Sequence, residues 1–412
     1  MIESTAVRIA GSTEQKLESN VLKVAEKSTR ENVQIEKQHH NKLCNLDESP
    51  HLASAFTFGP LQDFLDDDSV EEIWINSPNR IFVAKNGQSH LVPLIISPQE
   101  IRDISERLLA WSGRRVDLSQ PFVDARLPNG ARLHLVIPDI TAEFWSINIR
   151  KKSLAAFQLK DLVEVGSLSS DLADILSLLV QSSCNILISG ATQAGKTTVL
   201  NCLLGSLESG SRLITIEEVF ELTPRVADHV GLQTRQPNLE GNGEVTLRTL
   251  VRESLRMRPT HIVIGEVRGA ESLDLLLALN SGIPGMASIH ANSASDALRK
   301  MCALPLLAGP NIVREFTIEA VKSNIDLVIH CVRTKSGNRR ISEIAIVNKI
   351  QSGHQLESNT LVSWFNDTYR YYPIDFDSAP HFQIIKPRYT EILQKQNHKL
   401  QKLGIQTKNQ SS

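Results

Sequence analysis

The stretch CNILISGATQAGKTTVLNCLLGSL, residues 184–207, sets the architecture of the chain around it. A short apolar run of strand type, CNILISG, enters a glycine-bounded loop, and KTTVLNCLLGSL leaves it with helical periodicity. Gly190, four residues, then Gly195, Lys196 and Thr197 match the phosphate-loop pattern G-x-x-x-x-G-K-[ST]. Glycines let the backbone turn so that its N–H groups converge on an anion, and the helix that follows adds the positive end of its dipole. In such a loop Gly190, Ala191, Thr192, Gln193, Ala194, Gly195, Lys196, Thr197 and Thr198 would hold the phosphates of ATP. Lys196 reaches the β- and γ-phosphates, and the Thr197 hydroxyl sits on Mg²⁺. The alternative is a glycine-rich turn before a helix, which the strand on one side and the helix on the other disfavour.

Outward from the loop, helices and strands alternate from residue 166. SSDLADILSLLVQSS reads as a helix, SRLITIEE as a strand, and EVTLRTLVRESLRMRP as a helix closed by Pro259. THIVIGEVRG, AESLDLLLALNSG and GMASIHAN continue as strand, helix and strand. That alternation predicts an α/β domain with a parallel sheet covered by helices, and such sheets bind nucleotides beyond the carboxyl ends of their strands. Acidic or basic groups stand at three predicted strand tips. Glu266 ends THIVIGE, Glu217 and Glu218 end LITIEE, and His290 ends MASIH. Glu266 beside Lys196 would polarise water or hold Mg²⁺ through its shell. Taken alone, Glu266 and Glu218 are also what a solvated acid looks like, and His290 what a satisfied core histidine looks like.

The segment before the loop has a different character. EEIWIN and RIFVAK flank SPN, which is hairpin chemistry, and ARLHLVIP and FWSINIRKK are further strands. SPQEIRDISERLLAWSG carries a Ser cap, Pro in the first turn, Glu three after the Ser and a Gly stop. Arg126, Arg132 and Arg150 lie in this strand-rich unit, and arginines from outside a core domain can complete a γ-phosphate site. Each of them also suits a solvated sheet face. The expected division is a polar, loosely helical arm over 1–55 (with Leu17, Val21 and Val24 in weak helical spacing), an amino-terminal α+β domain over 56–155 and a linker over 156–165. An ATPase domain over 166–350 and an extension over 351–412 follow. In that extension Tyr389, Ile392, Leu393, Leu400 and Leu403 fall on one helical stripe flanked by lysines and arginine, a basic amphipathic helix suited either to a membrane surface or to packing on the domain.

Composition narrows the function. A formal net charge of -2 and 5% aromatic residues argue against a nucleic-acid groove, so no direct nucleic acid is expected. No apolar run approaches the roughly 18–20 residues of a membrane span, and the start of the chain has no signal-peptide pattern. Cys44, Cys184, Cys202, Cys302 and Cys331 form no C-x-x-C pair, which predicts a reduced, cytoplasmic setting and no zinc site.

GATQAGKTT, RLITIEEVFEL, TRQPNLEGNGEVTLRTLVRESLRMRPTHIVIGEVRGAE and GMASIHANS resemble, in order and spacing, the secretion ATPase superfamily of type II and type IV secretion and pilus assembly. The likeness runs over about residues 56–335 and is strongest toward CpaF-type motors of tight-adherence (Flp) pili. It implies a RecA-like domain preceded by a smaller PAS-like α+β domain, in a homo-hexameric ring. The ring would sit at the cytoplasmic face of the cell membrane as a peripheral partner of inner-membrane platform proteins. It carries the family's Walker A onto Gly190–Thr197, its Walker B glutamate onto Glu266, its acidic box onto Glu217 and Glu218, its histidine box onto His290 and its amino-domain arginines onto Arg126, Arg132 and Arg150. Glu217, Glu266, His290 and Lys196 are then the expected catalytic group, with Thr197 and Glu217 toward the metal. The acidic box departs from the usual Glu-Asp by reading Glu217-Glu218. Three functions follow: a motor that couples ATP hydrolysis to pilus assembly or secretion, a DNA-conjugation or type IV secretion motor, and a nucleotide-sensing scaffold with little turnover. The last expects a missing Walker lysine or carboxylate, and both residues are present.

Overall fold

The computed structural model describes residues 58–85, 87–151, 158–237, 241–349, 356–376 and 380–402; the expected arm over 1–55 lies outside them. The chain divides into two compact units, Met1–Asp63 and Phe64–Ser412. In the first, the described part, residues 58–63, includes a 3₁₀ turn, Gly59–Leu61. Everything below concerns the second.

A six-stranded antiparallel sheet comes first, in the order β3-β2-β1-β6-β5-β4. Its strands are β1 (Val70–Ser77), β2 (Arg80–Lys85), β3 (Gln88–Leu91), β4 (Phe122–Arg126), β5 (Arg132–Val136) and β6 (Ser146–Arg150). β1 and β2 form the hairpin expected across SPN. α1 (Pro98–Ser112) is the helix its caps predict. Ser97 accepts from the Glu100 N–H, the Glu100 carboxylate accepts from the Ser97 N–H, and Gly113 closes the helix at φ 66°. Its buried residues Ile101, Ile104, Leu108 and Leu109 recur at helical spacing.

The second sheet has nine strands in the order β15-β14-β13-β12-β7-β11-β10-β8-β9. β7 (Ile186–Gly190), β8 (Arg212–Glu217), β9 (Asp228–Gln233), β10 (His261–Val267), β11 (Gly285–His290) and β12 (Leu327–Arg333) are mutually parallel, as the alternation of helix and strand predicts. β13 (Arg339–Val347), β14 (Ser358–Phe365) and β15 (Thr368–Tyr371) extend it antiparallel, an addition the alternation does not predict. Both faces are covered. On one lie α2 (Leu159–Glu164), α3 (Ser170–Gln181), α4 (Lys196–Leu204) and α9 (Lys386–Lys402), sharing a core with Ile186 and Ile188. On the other lie α5 (Leu247–Ser254), α6 (Glu271–Asn280), α7 (Ala294–Ala303) and α8 (Arg314–Asn324), packed with Leu187, Ile214 and Ile262. Successive residues of β7 therefore feed opposite cores, which is why the strand reads as continuously apolar. Of the expected linker over 156–165, residues 156 and 157 are outside the described set and Leu159–Glu164 form α2.

α9 uses its apolar stripe inward. Tyr389 is fully buried and Ile392 nearly so, and the Tyr389 hydroxyl donates to the carbonyls of Leu361 and Tyr372. Arg388, on the basic flank, pairs with Asp171 and Asp174 of α3. Leu403, predicted on the same stripe, lies outside the described residues. The described part of the stripe, Tyr389, Ile392 and Leu393, packs on the domain.

Candidate functional site

Four neighbouring strand tips, in the spatial order β7-β11-β10-β8, carry Gly190, His290, Glu266 and Glu217. His290 is level with Gly190 in the ladder, so the imidazole stands at the mouth of the loop. Glu266 falls in a register irregularity of β10 between Ile264 and Val267, and such bulges re-aim a side chain at a strand end.

The loop itself turns through positive φ at Gly190, Gln193 and Gly195. A Cβ on Gly190 would lie 2.5 Å from the Cys331 carbonyl oxygen, so only glycine lets β7 end against β12. Lys196, 7% exposed, spans the loop. Its ammonium donates to the carbonyls of Gly190 (3.2 Å) and Ala191 (3.1 Å) and to Nδ1 of His290 (3.1 Å). The Nε2 of His290 stands 3.0 Å from Glu266 Oε1. Since an ammonium can only donate, Nδ1 accepts, and the neutral imidazole carries its proton on Nε2, toward Glu266. Lys196, His290 and Glu266 thus form one relay across three strand tips. Burial holds the His290 pKa below its ordinary value, with Lys196 and Arg268 opposing the pull of Glu266. Burial likewise lowers Lys196. For Glu266, burial pushes upward, but the Arg268 hydrogen bonds and charge, with His290 and Lys196, win and leave the carboxyl below its usual range.

Glu217 lies deeper, 3% exposed, against Gly265 of β10. Its Oε2 accepts from the N–H groups of Glu221 (2.8 Å) and Leu222 (2.9 Å), while Oε1 has no partner among the described residues. Burial pushes its pKa up to about 7 against those two bonds. Glu217 therefore shapes the turn that follows it. That turn delivers Glu221, whose carboxylate accepts from the Thr197 hydroxyl at 3.1 Å and from Arg132 at 2.5 Å.

The three arginines form a row. Arg126 pairs with Arg132 across β4 and β5, and Arg132 with Arg150 across β5 and β6. Like charges directly opposite one another destabilise a sheet, so the row is not what stability alone selects. Arg132 reaches Glu221, Arg126 lies 5.8 Å over the Phe220 ring, and Arg150 is near enough to Lys196 to act on its pKa. β1 touches the loop as well: Gln193 donates to Glu72 at 3.4 Å, and Arg333 holds the Gln193 side-chain oxygen from β12 at 3.2 Å. The predicted residues thus converge from both sheets. Two that the sequence reading passed over belong with them: Glu221, and Arg268, which bonds Glu266 and Glu218. Arg268 stands two residues from Glu266 at a strand end, a spacing that returns a side chain to the same face and that could have flagged it.

The chain matches the family model described as "Type II/IV secretion system protein" over residues 55–362. The chain belongs to that family. A putative conjugal transfer protein of Mycobacterium tuberculosis is 34% identical over 71% of this chain and 85% of its own. The type IV secretion system protein VirB11 of Bartonella henselae is 28% identical over 69% and 90%. Among solved structures, the ATPase DotB of Yersinia pseudotuberculosis shares the fold with a TM-score of 0.51 at 20% identity, covering 68% of this chain and 76% of that one. The pilus retraction motor PilT with bound ADP gives 0.50 at 16% identity, covering 85% and 94%. This type II/IV secretion family chain is an ATP-hydrolysing enzyme with a RecA-like fold.

ATP and Mg²⁺ fit the residues present. The positive-φ loop makes an anion nest, and Lys196 spends its protons on carbonyls that phosphate oxygens can replace. Beside it a cleft of about 810 Å³, lined by Gly195, Thr198, Leu162, Val165, Asn338 and Arg339, has room for a nucleoside. The Thr197 hydroxyl, the Glu221 carboxylate and the unpartnered Glu217 oxygen are hard donors of the kind magnesium takes. No cluster of three or more His, Cys, Asp or Glu groups suited to a metal exists among the described residues. Magnesium at nucleotide sites takes one or two protein donors together with phosphate oxygens. When bound, the ion neutralises phosphate charge. No helix of the described residues is long and apolar enough to cross a membrane.

Proposed function

We propose that this chain is the ring-forming, homo-hexameric motor of a type IV secretion or pilus-assembly machine, docked from the cytoplasmic side on inner-membrane platform proteins. ATP hydrolysis at Lys196 and Glu266 moves the six-stranded sheet against the nine-stranded one. The observation that carries this reading is the bridge Arg132–Glu221–Thr197, which ties an arginine of the first sheet to the hydroxyl that follows the loop lysine. Any change at Thr197 when nucleotide enters or leaves is felt by Arg132, so chemistry and domain position are linked through two contacts. Lys196 clamps phosphate, Glu266 polarises the attacking water, His290 relays between them, and Arg126, Arg132 and Arg150 complete the γ-phosphate site. Glu217 and Thr197 would hold the metal.

Two cargoes remain distinct. Flp-type pilus assembly fits the motif likeness, and conjugation fits the names of the relatives. A strain lacking the chain separates them: loss of pili with normal DNA transfer supports the first, and the reverse supports the second.

The motor reading is tested by replacing Arg126, Arg132 and Arg150 singly with Ala. Stability should change little, by about 0.5 kcal/mol at exposed Arg150 and by up to about 1 kcal/mol at half-buried Arg126 and Arg132. Hydrolysis by the intact ring should fall, by up to ~10³-fold for a residue that reaches the γ-phosphate. Normal hydrolysis in all three variants returns the arginines to a solvated sheet face and removes the coupling.

A further inference from the structure

Arg268 touches two acids at once. Its Nε and Nη2 grip both oxygens of Glu266, at 2.8 and 3.0 Å, and its Nη1 donates to Glu218 at 2.8 Å. With the His290 Nε2 also on Oε1, each Glu266 oxygen already accepts at least one hydrogen bond from a cation or imidazole. A carboxylate held in a bidentate fork is a poor acceptor for a water proton. The backbone of Arg268 is anchored, because Glu271 accepts from the N–H groups of Arg268 (2.6 Å) and Gly269 (2.7 Å). The Arg268 side chain as a whole is half exposed, at 51%, which leaves space for its far end to pivot.

We propose that Arg268 is a brake on Glu266 and that Glu218 is the counterweight that draws it off. Pivoting onto Glu218 alone keeps the guanidinium charge compensated while it frees a Glu266 oxygen for water. Arg268 is thus a positioning residue that acts through Glu266. The second acid of the box must be Glu for this. An Asp carboxylate would sit about one C–C bond, ~1.5 Å, further back, beyond hydrogen-bond reach of Nη1. The departure from the usual Glu-Asp pair at Glu217-Glu218 then has a physical consequence in this chain. The proposal rests on the reading of Glu266 as the group that polarises water.

Steady-state hydrolysis by the full-length protein at saturating Mg·ATP tests it. Arg268→Ala should raise kcat, by up to about fivefold for half-exposed ion pairs, with KM and fluorescent-nucleotide affinity within about twofold of wild type. Arg268→Lys, which can hold only one oxygen, should fall between. Glu218→Asp and Glu218→Gln should lower kcat by a similar factor, since the guanidinium then rests on Glu266 alone. The double variant R268A/E218Q should turn over at the rate of R268A, a non-additivity that damage to folding does not produce. A kcat of Arg268→Ala at or below wild type, or additive effects in the double variant, overturns the brake. Should Arg268→Ala fail to fold, Arg268→Lys and Glu218→Asp carry the same comparison, and a kcat at or below wild type in the former overturns it. Full activity of Glu266→Gln instead overturns the underlying reading of Glu266, so the two failures are told apart.

Discussion

Glu217 is a carboxyl group 3% exposed, with one oxygen bonded to two backbone N–H groups and the other unpartnered among the described residues. Its pKa, about 7 in the fold against 4.5 ordinarily, gives a pH dependence whose sign is fixed. Between those values the folded chain holds a proton that the unfolded chain has released. Stability therefore falls as pH rises through that window, and the loss is complete above it. Glu217→Gln removes the titration. In nucleotide- and metal-free buffer, urea unfolding should show the variant gaining on wild type from about pH 4.5 to about pH 8 by at most ~3 kcal/mol. Parallel curves would remove the buried-acid account. The sequence placed Glu217, Glu266 and His290 at strand ends and Lys196 at the close of the phosphate loop, and the structure brings the last three into one relay. It did not reveal Glu221. Three positions past Glu218, beyond the strand, Glu221 reads as a solvated acid, and only the turn folded onto Glu217 aims it at Thr197. The partners of Arg268 were hidden for a related reason. Glu218 lies 50 positions away in the chain, and their contact exists only because β8 and β10 are neighbours.

At the level of elements, the phosphate loop, the parallel strands and α1 were legible because local signals agree with their tertiary role: caps, glycines and apolar runs. β13–β15 were not. They return antiparallel along one edge, and β14 mixes exposed and buried residues without clean alternation. A signal was present nonetheless. Asn366 and Asp367 take positive φ in the two-residue turn between β14 and β15, the chemistry that Asn and Asp tolerate in tight hairpins. α9 reads in the sequence as amphipathic, and the described part of its stripe is used in packing, with Tyr389 and Ile392 in the main core. Tyr389→Ala should cost about 3–5 kcal/mol, as for a large core truncation. Removing residues 386–412 should lower the melting temperature and leave binding to anionic vesicles unchanged. A truncated protein that keeps its melting temperature but leaves the vesicles would reverse the assignment and make α9 a membrane helix.

At the scale of the molecule, a nine-stranded sheet supplies the phosphate loop and the acids, and a six-stranded sheet supplies a row of arginines that meets them. Polar contacts join the two sheets: Arg132 with Glu221, Gln193 with Glu72, and Arg339 of β13 with Glu71 of β1. Such half-exposed contacts are individually weak, so domains held by them can part and re-form within a working cycle. The central claim is that the relay Lys196–His290–Glu266 hydrolyses ATP to drive that cycle. Its direct test is steady-state hydrolysis measured beside nucleotide binding for wild type, Glu266→Gln and Lys196→Ala. Glu266→Gln keeps shape and loses charge, so it should bind ATP as wild type does and hydrolyse it at least ~10²-fold more slowly. Lys196→Ala should lose affinity together with turnover. Near-full hydrolysis by Glu266→Gln would contradict the account and move the chemistry to Glu217 at the end of β8 or Glu221 just past it.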